Sequence, residues 1–135
     1  MGRFSDKVWR KEFYTLLQKN RMSAVDFGDI LMELHKKVGS MEPSFSSKLV
    51  ATINPEMPVI DSIVLKNLGW RLPYTYRRDR HLEIIELYKN LIAEFSRFLK
   101  TENGQYLIME FVKMYSHAEI TKTKMLDLIL WQTRN

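Results

Sequence analysis

Apolar side chains recur along this chain at every third or fourth position, the spacing that gathers them on one face of a helix. No stretch alternates apolar and polar residues as a half-buried strand does. We therefore predict that residues 1–135 form a single all-α domain of about seven helices. The apolar stripes of these helices lie within residues 9–17, 27–38, 45–53, 60–68, 85–99, 107–115 and 125–131.

Capping residues mark the predicted ends of several helices. Asp79 and Thr121 stand just ahead of apolar stripes, where a side-chain oxygen can accept a hydrogen bond from a free backbone N–H. Gly39 and Gly69 follow the last apolar residues of their stripes, so we expect them to end those helices. Residues 101–104 are expected to separate the long helix from the one that follows it.

Two helices carry specific expectations about burial. The helix over residues 60–68 has apolar side chains on more than one face, so we expect it to be the most buried helix. The long helix has a 3-4-3-4 apolar spacing that predicts its inward-facing residues. These are Ile85, Tyr88, Ile92, Phe95 and Leu99.

Composition removes several classes of function. The chain contains no cysteine, which excludes disulfide bonds, thiolate metal sites and thiol catalysis. Its three histidines are far apart, and it has neither a glycine-rich phosphate loop nor an HExxH motif, so we expect no cofactor and no metal. Because no apolar run approaches the ~20 residues of a membrane helix and the N-terminus is charged, we expect no membrane association and a cytoplasmic location.

Asp61 stands at the start of an apolar stretch and has two candidate roles. Residues 53–69 read INPEMPVIDSIVLKNLG. As a helix cap, the Asp61 carboxylate would accept backbone N–H bonds and contribute about 0.5–2 kcal/mol to stability. As a catalytic residue, it would lie in a cleft between apolar walls, which raise a carboxyl pKa and let the group act as a base or an electrostatic stabiliser. The residues alone leave both roles open.

The segment around Asp61 resembles part of the helix–hairpin–helix DNA glycosylase superfamily. There a proline and an apolar pair precede an aspartate, a valine follows three residues later, and leucine-glycine ends a short helix. The matching residues here are Pro58, Asp61, Val64 and Leu68-Gly69. The preceding SSKLVATINP is similar to the helix and proline turn of the oxoguanine-excising branch. The resemblance implies that Asp61 is the catalytic carboxylate that supports attack on the glycosidic carbon. The family's Gly-x-Gly hairpin and the lysine of its bifunctional members are missing, so the resemblance implies a reduced relative.

A cationic and aromatic segment follows directly. Residues 69–81 read GWRLPYTYRRDRH, with four arginines and one aspartate. Guanidinium groups pair with phosphates and aromatic faces stack on exposed bases, so this composition favours a nucleic-acid-binding loop. The alternative is a surface loop whose arginines are solvated or paired with glutamates of the next helix. The predicted nucleic-acid-binding residues are Arg71, Arg77, Arg78, Arg80, Tyr74 and Tyr76.

Two functions are compatible with these patterns. The first is a DNA- or other nucleic-acid-binding helical domain with a net charge of +5, related in reduced form to base-excision DNA glycosylases. The second is a non-enzymatic helical protein–protein interaction module, either a homodimer or the partner of another protein. In that case the arginines would face an acidic partner, and the last helix, apolar on nearly all sides over residues 125–131, could pack against a second subunit.

Overall fold

The computed structural model describes residues 26–75 and 78–133 of the chain. Within these ranges the chain forms six α-helices and no strand, which confirms the all-α prediction. The predicted helix over residues 9–17 lies outside the described residues. The helices are α1 Phe27–Val38, α2 Pro43–Ile53, α3 Ser62–Leu68, α4 Arg80–Leu99, α5 Glu102–Met114 and α6 Lys122–Gln132.

Most of the predicted helix ends are confirmed. Gly39 and Gly69 end α1 and α3 with φ angles of 82° and 76°, a left-handed conformation that glycine adopts without steric cost. Thr121 caps α6 through a hydrogen bond that its side chain accepts from the backbone N–H of Lys124. Asp79 occupies the N-cap position of α4, but its side chain makes no capping hydrogen bond, so that part of the prediction is wrong.

Helix α5 begins earlier than predicted, at a cap formed by Thr101. Thr101 accepts a 3.0 Å hydrogen bond from the N–H of Gly104 and caps the helix, so residues 101–104 start α5 and do not form a separate spacer. A Cβ atom on Gly104 would lie 2.0 Å from the carbonyl oxygen of Phe98 at the end of α4. The glycine thus lets two consecutive helices approach closely, whereas its sequence signature is that of a helix breaker.

Helix α6 lies at the centre of the packing. It contacts α3, α4 and α5, while α1 packs against α2 and α4. Asn67 of α3 ties the two helices together, because its side-chain amide donates to the carbonyl oxygens of Leu130 (2.6 Å) and Thr133 (2.8 Å) at the end of α6. Helix α6, although last in the described chain, is therefore an integral part of the core.

The long helix α4 buries a stripe that only partly matches the predicted one. The observed buried residues are Ile84, Tyr88, Leu91 and Phe95. Three residues that were expected to face inward are half-buried: Ile85, Ile92 and Leu99. Apolar residues occupy adjacent positions at 84–85 and 91–92, so two stripes fit the spacing equally well, and the neighbouring helices select between them.

The expectation that α3 is the most buried helix is wrong. Only Val64 and Leu65 are buried among its seven residues, whereas α1 buries five of twelve. The short helix packs against α6 on one side, and its remaining apolar residues, Ile63 and Leu68, are half-buried. Separately, none of the described helices is both long and apolar enough to cross a membrane.

Candidate functional site

The segment that leads to Asp61 has no regular secondary structure, yet much of it is buried. Its consecutive residues Pro58, Val59 and Ile60 are all buried. Helices elsewhere in the chain supply the hydrogen bonds that this backbone lacks. The N–H of Ile60 donates to the Ser47 hydroxyl at 2.8 Å, and the Tyr88 hydroxyl donates to the carbonyl oxygen of Pro58 at 2.7 Å. These contacts satisfy buried backbone groups and fix the direction in which the chain enters α3.

Asp61 is the N-cap of α3, so the interpretation as a helix cap is confirmed. Its Oδ1 atom accepts hydrogen bonds from the N–H groups of Ile63 (2.8 Å) and Val64 (3.3 Å). Both capping bonds end on one oxygen, which leaves Oδ2 without a hydrogen bond among the described residues. The catalytic role of Asp61 stays a prediction, since a cap and a reacting carboxylate are compatible at one residue.

A second carboxylate, Asp127 of α6, lies near Asp61. Asp127 is 7% exposed, and its Oδ1 atom is buried with no hydrogen-bond partner among the described residues. Its Oδ2 atom is 3.5 Å from the Nζ of Lys124 one turn earlier. Burial raises the pKa of Asp127 to about 6, Lys124 opposes this shift, and the negative charge of Asp61 adds to it. The sequence pattern did not single out Asp127, because its burial depends on how α6 packs.

Tyr88 is a buried core residue that lies near Asp127. Its ring stacks on Phe27 with the centroids 4.1 Å apart. Burial raises the pKa of the Tyr88 hydroxyl, and the negative charge of Asp127 raises it further, so the hydroxyl keeps the proton that it donates to Pro58. Two carboxylates in different environments, such as Asp61 and Asp127, are typical of acid–base catalysis. However, the Oδ1 atom of Asp127 is buried, so a substrate in solvent could not reach it.

The arginine loop, residues 70–79, follows α3 in the chain. Arg71 extends over the ring of Tyr74, with its guanidinium carbon 5.6 Å from the ring centroid, and donates a hydrogen bond to the Tyr74 hydroxyl. Both side chains are exposed, as is Arg78. Arg80 is half-buried and donates from Nε to the carbonyl oxygen of Pro73 at 3.2 Å, so it shapes the loop. Tyr76 and Arg77 lie outside the described residues.

Two shallow depressions border the arginine loop. One, of about 320 Å³, is lined by Arg71, Pro73 and Tyr74 together with Glu83 and other residues. The other, of about 390 Å³, is lined by Trp70, Arg71, Glu83 and Glu86 among others. Glu83 and Glu86 of α4 therefore line the same depressions as Arg71, so the surface beside the loop is of mixed charge.

A larger groove of about 790 Å³ lies where the end of α2 meets the start of α6. Its charged lining residues are Lys48, Glu119 and Lys124. The remaining lining is mainly apolar and includes Ala51, Pro55, Met57, Val59 and Ile120. Lys124 connects the groove to the buried carboxylate of Asp127. Asp61 lines neither this groove nor the two depressions beside the arginine loop.

Helix α5 and the segment after it carry most of the large apolar side chains that are exposed among the described residues. Tyr106 is 57% exposed, Met109 51% and Met114 72%. Further exposed members of this region are Val112, Tyr115 and Ile120. The opposite side of α5 buries Ile108 and Phe111 against Met125 of α6. The inner face of α5 is therefore packed against α6, while its outer face exposes apolar side chains to solvent.

The described residues contain no group of three histidine, aspartate or glutamate side chains that could hold a metal ion. No family model, curated protein or solved structure matches this chain. The resemblance of the segment around Asp61 to DNA glycosylases therefore stays a prediction from the sequence.

Proposed function

We propose that the domain binds nucleic acid through the exposed side chains of the arginine loop. The supporting observation is the exposed pair in which the Arg71 guanidinium lies over the Tyr74 ring. The guanidinium can donate to phosphate oxygens, while an exposed tyrosine ring can stack on an unpaired base. Arg78 is exposed on the same loop and adds a second cation, and the net charge of +5 favours approach to a polyanion.

The proposal assigns different tasks to the four arginines of the loop. Arg71 and Arg78 contact phosphates, whereas Arg80 supports the loop through its hydrogen bond to Pro73. Arg77 and Tyr76 are included from the sequence prediction as a further phosphate contact and a stacking ring. Contacts of this kind carry little sequence information, so we expect binding that depends strongly on salt and weakly on base sequence.

Fluorescence anisotropy with labelled oligonucleotides tests this proposal. Binding of a plain duplex and a single strand is measured between about 50 and 200 mM salt. Arg71→Ala should lower affinity and reduce the slope of log K against log salt by about one. Arg97→Ala is the matched control, because Arg97 is also an exposed arginine but is paired with Glu94 on α4. Absence of binding by the unsubstituted protein at the lowest salt would contradict the proposal.

The predicted relation to base-excision glycosylases adds one probe, a duplex with an abasic site. An enzyme that extrudes a base gains affinity when the base is already missing. Preferential binding of the abasic duplex would support a base-extruding site. Release of a base from an intact duplex by the unsubstituted protein, and its loss in Asp61→Asn, would support a catalytic role for Asp61. Equal binding of both duplexes would leave a general nucleic-acid-binding module.

The exposed apolar face of α5 favours a second function, that of a protein–protein interaction module. Site-specific crosslinking tests it: a photo-crosslinking amino acid replaces Met109 on α5, and in the control it replaces Leu82, which is 56% exposed on α4. Adducts formed in cells at position 109 and not at position 82 would support this function. Equal yields at both positions would contradict it.

A further inference from the structure

Four exposed residues follow one line along the outer face of α5: Glu102, Tyr106, Met109 and Lys113. Their spacing of four, three and four residues is that of the contact seam between two paired helices. We call this line the α5 seam. Its two central residues are apolar and more than half exposed, and its ends carry opposite charges. The side chain of Lys113 is 65% exposed, although its Nζ atom lies 3.3 Å from Glu110 of the same helix.

We propose that the α5 seam binds the α5 seam of a second copy of this chain, with the two helices antiparallel. This inference rests on the second function proposed above and names its partner. In an antiparallel pair centred between residues 106 and 109, Tyr106 of each copy packs on Met109 of the other. The same register places Glu102 of each copy beside Lys113 of the other.

The charges select this orientation and this partner. A parallel pair in register would place Glu102 against Glu102 and Lys113 against Lys113, and like charges at facing positions are destabilising. The antiparallel pair replaces both repulsions with attractions and repeats the same contacts on either side of a two-fold axis. A seam of this kind is complementary to itself, so a second copy satisfies all four of its positions.

The contact is expected to be weak and reversible. One exposed helix face is at the low end of interface sizes, and charge pairs at its solvent-exposed rim add only modestly to affinity. Val112 is exposed next to the seam and extends the apolar contact. Sedimentation velocity over roughly 10 µM to 1 mM protein covers the range of Kd that we expect for such a pair.

Charge reversal at the two ends of the seam gives a decisive experiment. Glu102→Lys leaves lysines at both ends, and Lys113→Glu leaves glutamates at both ends, so each variant should associate at least tenfold more weakly than the unsubstituted chain. An equimolar mixture of the two variants restores both attractive pairs in the antiparallel register and should dimerise again. Circular dichroism of each variant establishes that it is folded before the measurement. Leu82→Lys changes an equally exposed apolar residue on α4 and should leave the association unchanged.

Each outcome decides the proposal. Concentration-dependent dimers that are lost in either variant and regained in the mixture would support it. A chain that stays monomeric throughout the range would overturn it, as would dimers that are indifferent to the charge reversals. In the monomeric case, crosslinks from position 109 to a different protein would still support the interaction module, so the failure of the two ideas can be told apart.

Discussion

Two irregular segments flank α3, and their backbones are stabilised in different ways. The segment of residues 54–61 is buried near its end and receives hydrogen bonds from distant side chains: Ser47 and Tyr88 bond its inner part, and the Thr121 hydroxyl donates to the carbonyl oxygen of Pro55 at 2.7 Å. The arginine loop is largely exposed, and its described part takes its hydrogen bonds from within its own neighbourhood, as between Arg80 and Pro73.

The difference separates the residues that stabilise the fold from those available for binding. A buried irregular backbone has no water to satisfy its polar groups, so each group needs a protein partner. An exposed loop has water for the same purpose, which leaves its side chains available to a ligand. Substitutions in the two segments should therefore have opposite profiles, with large losses of stability in one and changes in binding alone in the other.

Loss of both distant hydrogen bonds to the 54–61 segment should have the largest effect. The double variant Ser47→Ala with Tyr88→Phe leaves the N–H of Ile60 and the carbonyl of Pro58 without their partners. Each loss costs about 1–3 kcal/mol, so we expect the free energy of unfolding in urea to fall by about 3 kcal/mol. Ser46→Ala with Tyr106→Phe is the control, since Ser46 bonds a carbonyl that already accepts a helical N–H and Tyr106 is exposed. Equal losses in the two double variants would contradict the assignment.

Asp127→Asn should stabilise the fold above pH 6 by up to roughly 3 kcal/mol. The pKa of Asp127 is raised from its ordinary 3.8 to about 6, so the folded protein holds a proton that the unfolded chain has released between these values. The contribution of Asp127 to stability is therefore most favourable below pH 3.8 and is lost as the pH rises through 6.

Urea unfolding at pH 4 and pH 8 measures this effect. The difference between Asp127→Asn and the unsubstituted protein should appear at pH 8 and nearly vanish at pH 4. Glu86→Gln, on the exposed side of α4, is the control and should change neither value much. A lower stability of Asp127→Asn at pH 8 would show that the carboxylate has a stabilising partner.

Substitutions of Asp61 should separate its cap from its charge. Asp61→Ala removes both hydrogen bonds to the start of α3 and should cost about 1 kcal/mol. Asp61→Asn keeps an oxygen for the cap and should cost little, while loss of the negative charge should lower the pKa of Asp127, which NMR titration measures. If Asp61→Asn destabilises as much as Asp61→Ala, the charge itself is required at the helix end.

The smallest change in stability is expected in the arginine loop. Arg71→Ala and Arg78→Ala remove exposed side chains and should alter the free energy of unfolding by less than about 0.5 kcal/mol. Thermal unfolding measures this alongside the binding assays. A large loss of stability would show that these arginines stabilise the fold, as the side chains bonded to residues 54–61 do, and would contradict the contrast between the two segments.

The helices and the cap at Asp61 were predictable because their causes are local. Apolar spacing, a capping side chain and a terminal glycine all act within one or two turns, so they can be read along the chain. The residues beside the cap were not predictable in the same way. Asp127 and Tyr88 meet the Asp61 region only because α4 and α6 pack there, and no spacing in the sequence encodes that meeting.

The composition of the arginine loop indicated that it is exposed, but not which of its arginines make structural contacts. Arg80 and Arg71 have the same side chain, yet one bonds the backbone of Pro73 and the other lies over Tyr74. Which arginine supports the loop depends on where α4 begins, a boundary that pattern alone sets only approximately. The exposure of the apolar face of α5 was not predictable either, because exposed and buried methionines look the same in a sequence.

The hydrogen bonds at the two ends of α6 have a consequence for how the chain folds. They join Thr121 to Pro55 and Asn67 to Thr133, each across a separation of 66 positions. Closing loops of that length has an entropic cost of about 4 kcal/mol before any contact compensates for it. The contacts of α6 with Pro55 and Asn67 therefore form late, and on the ribosome they cannot form until that helix emerges.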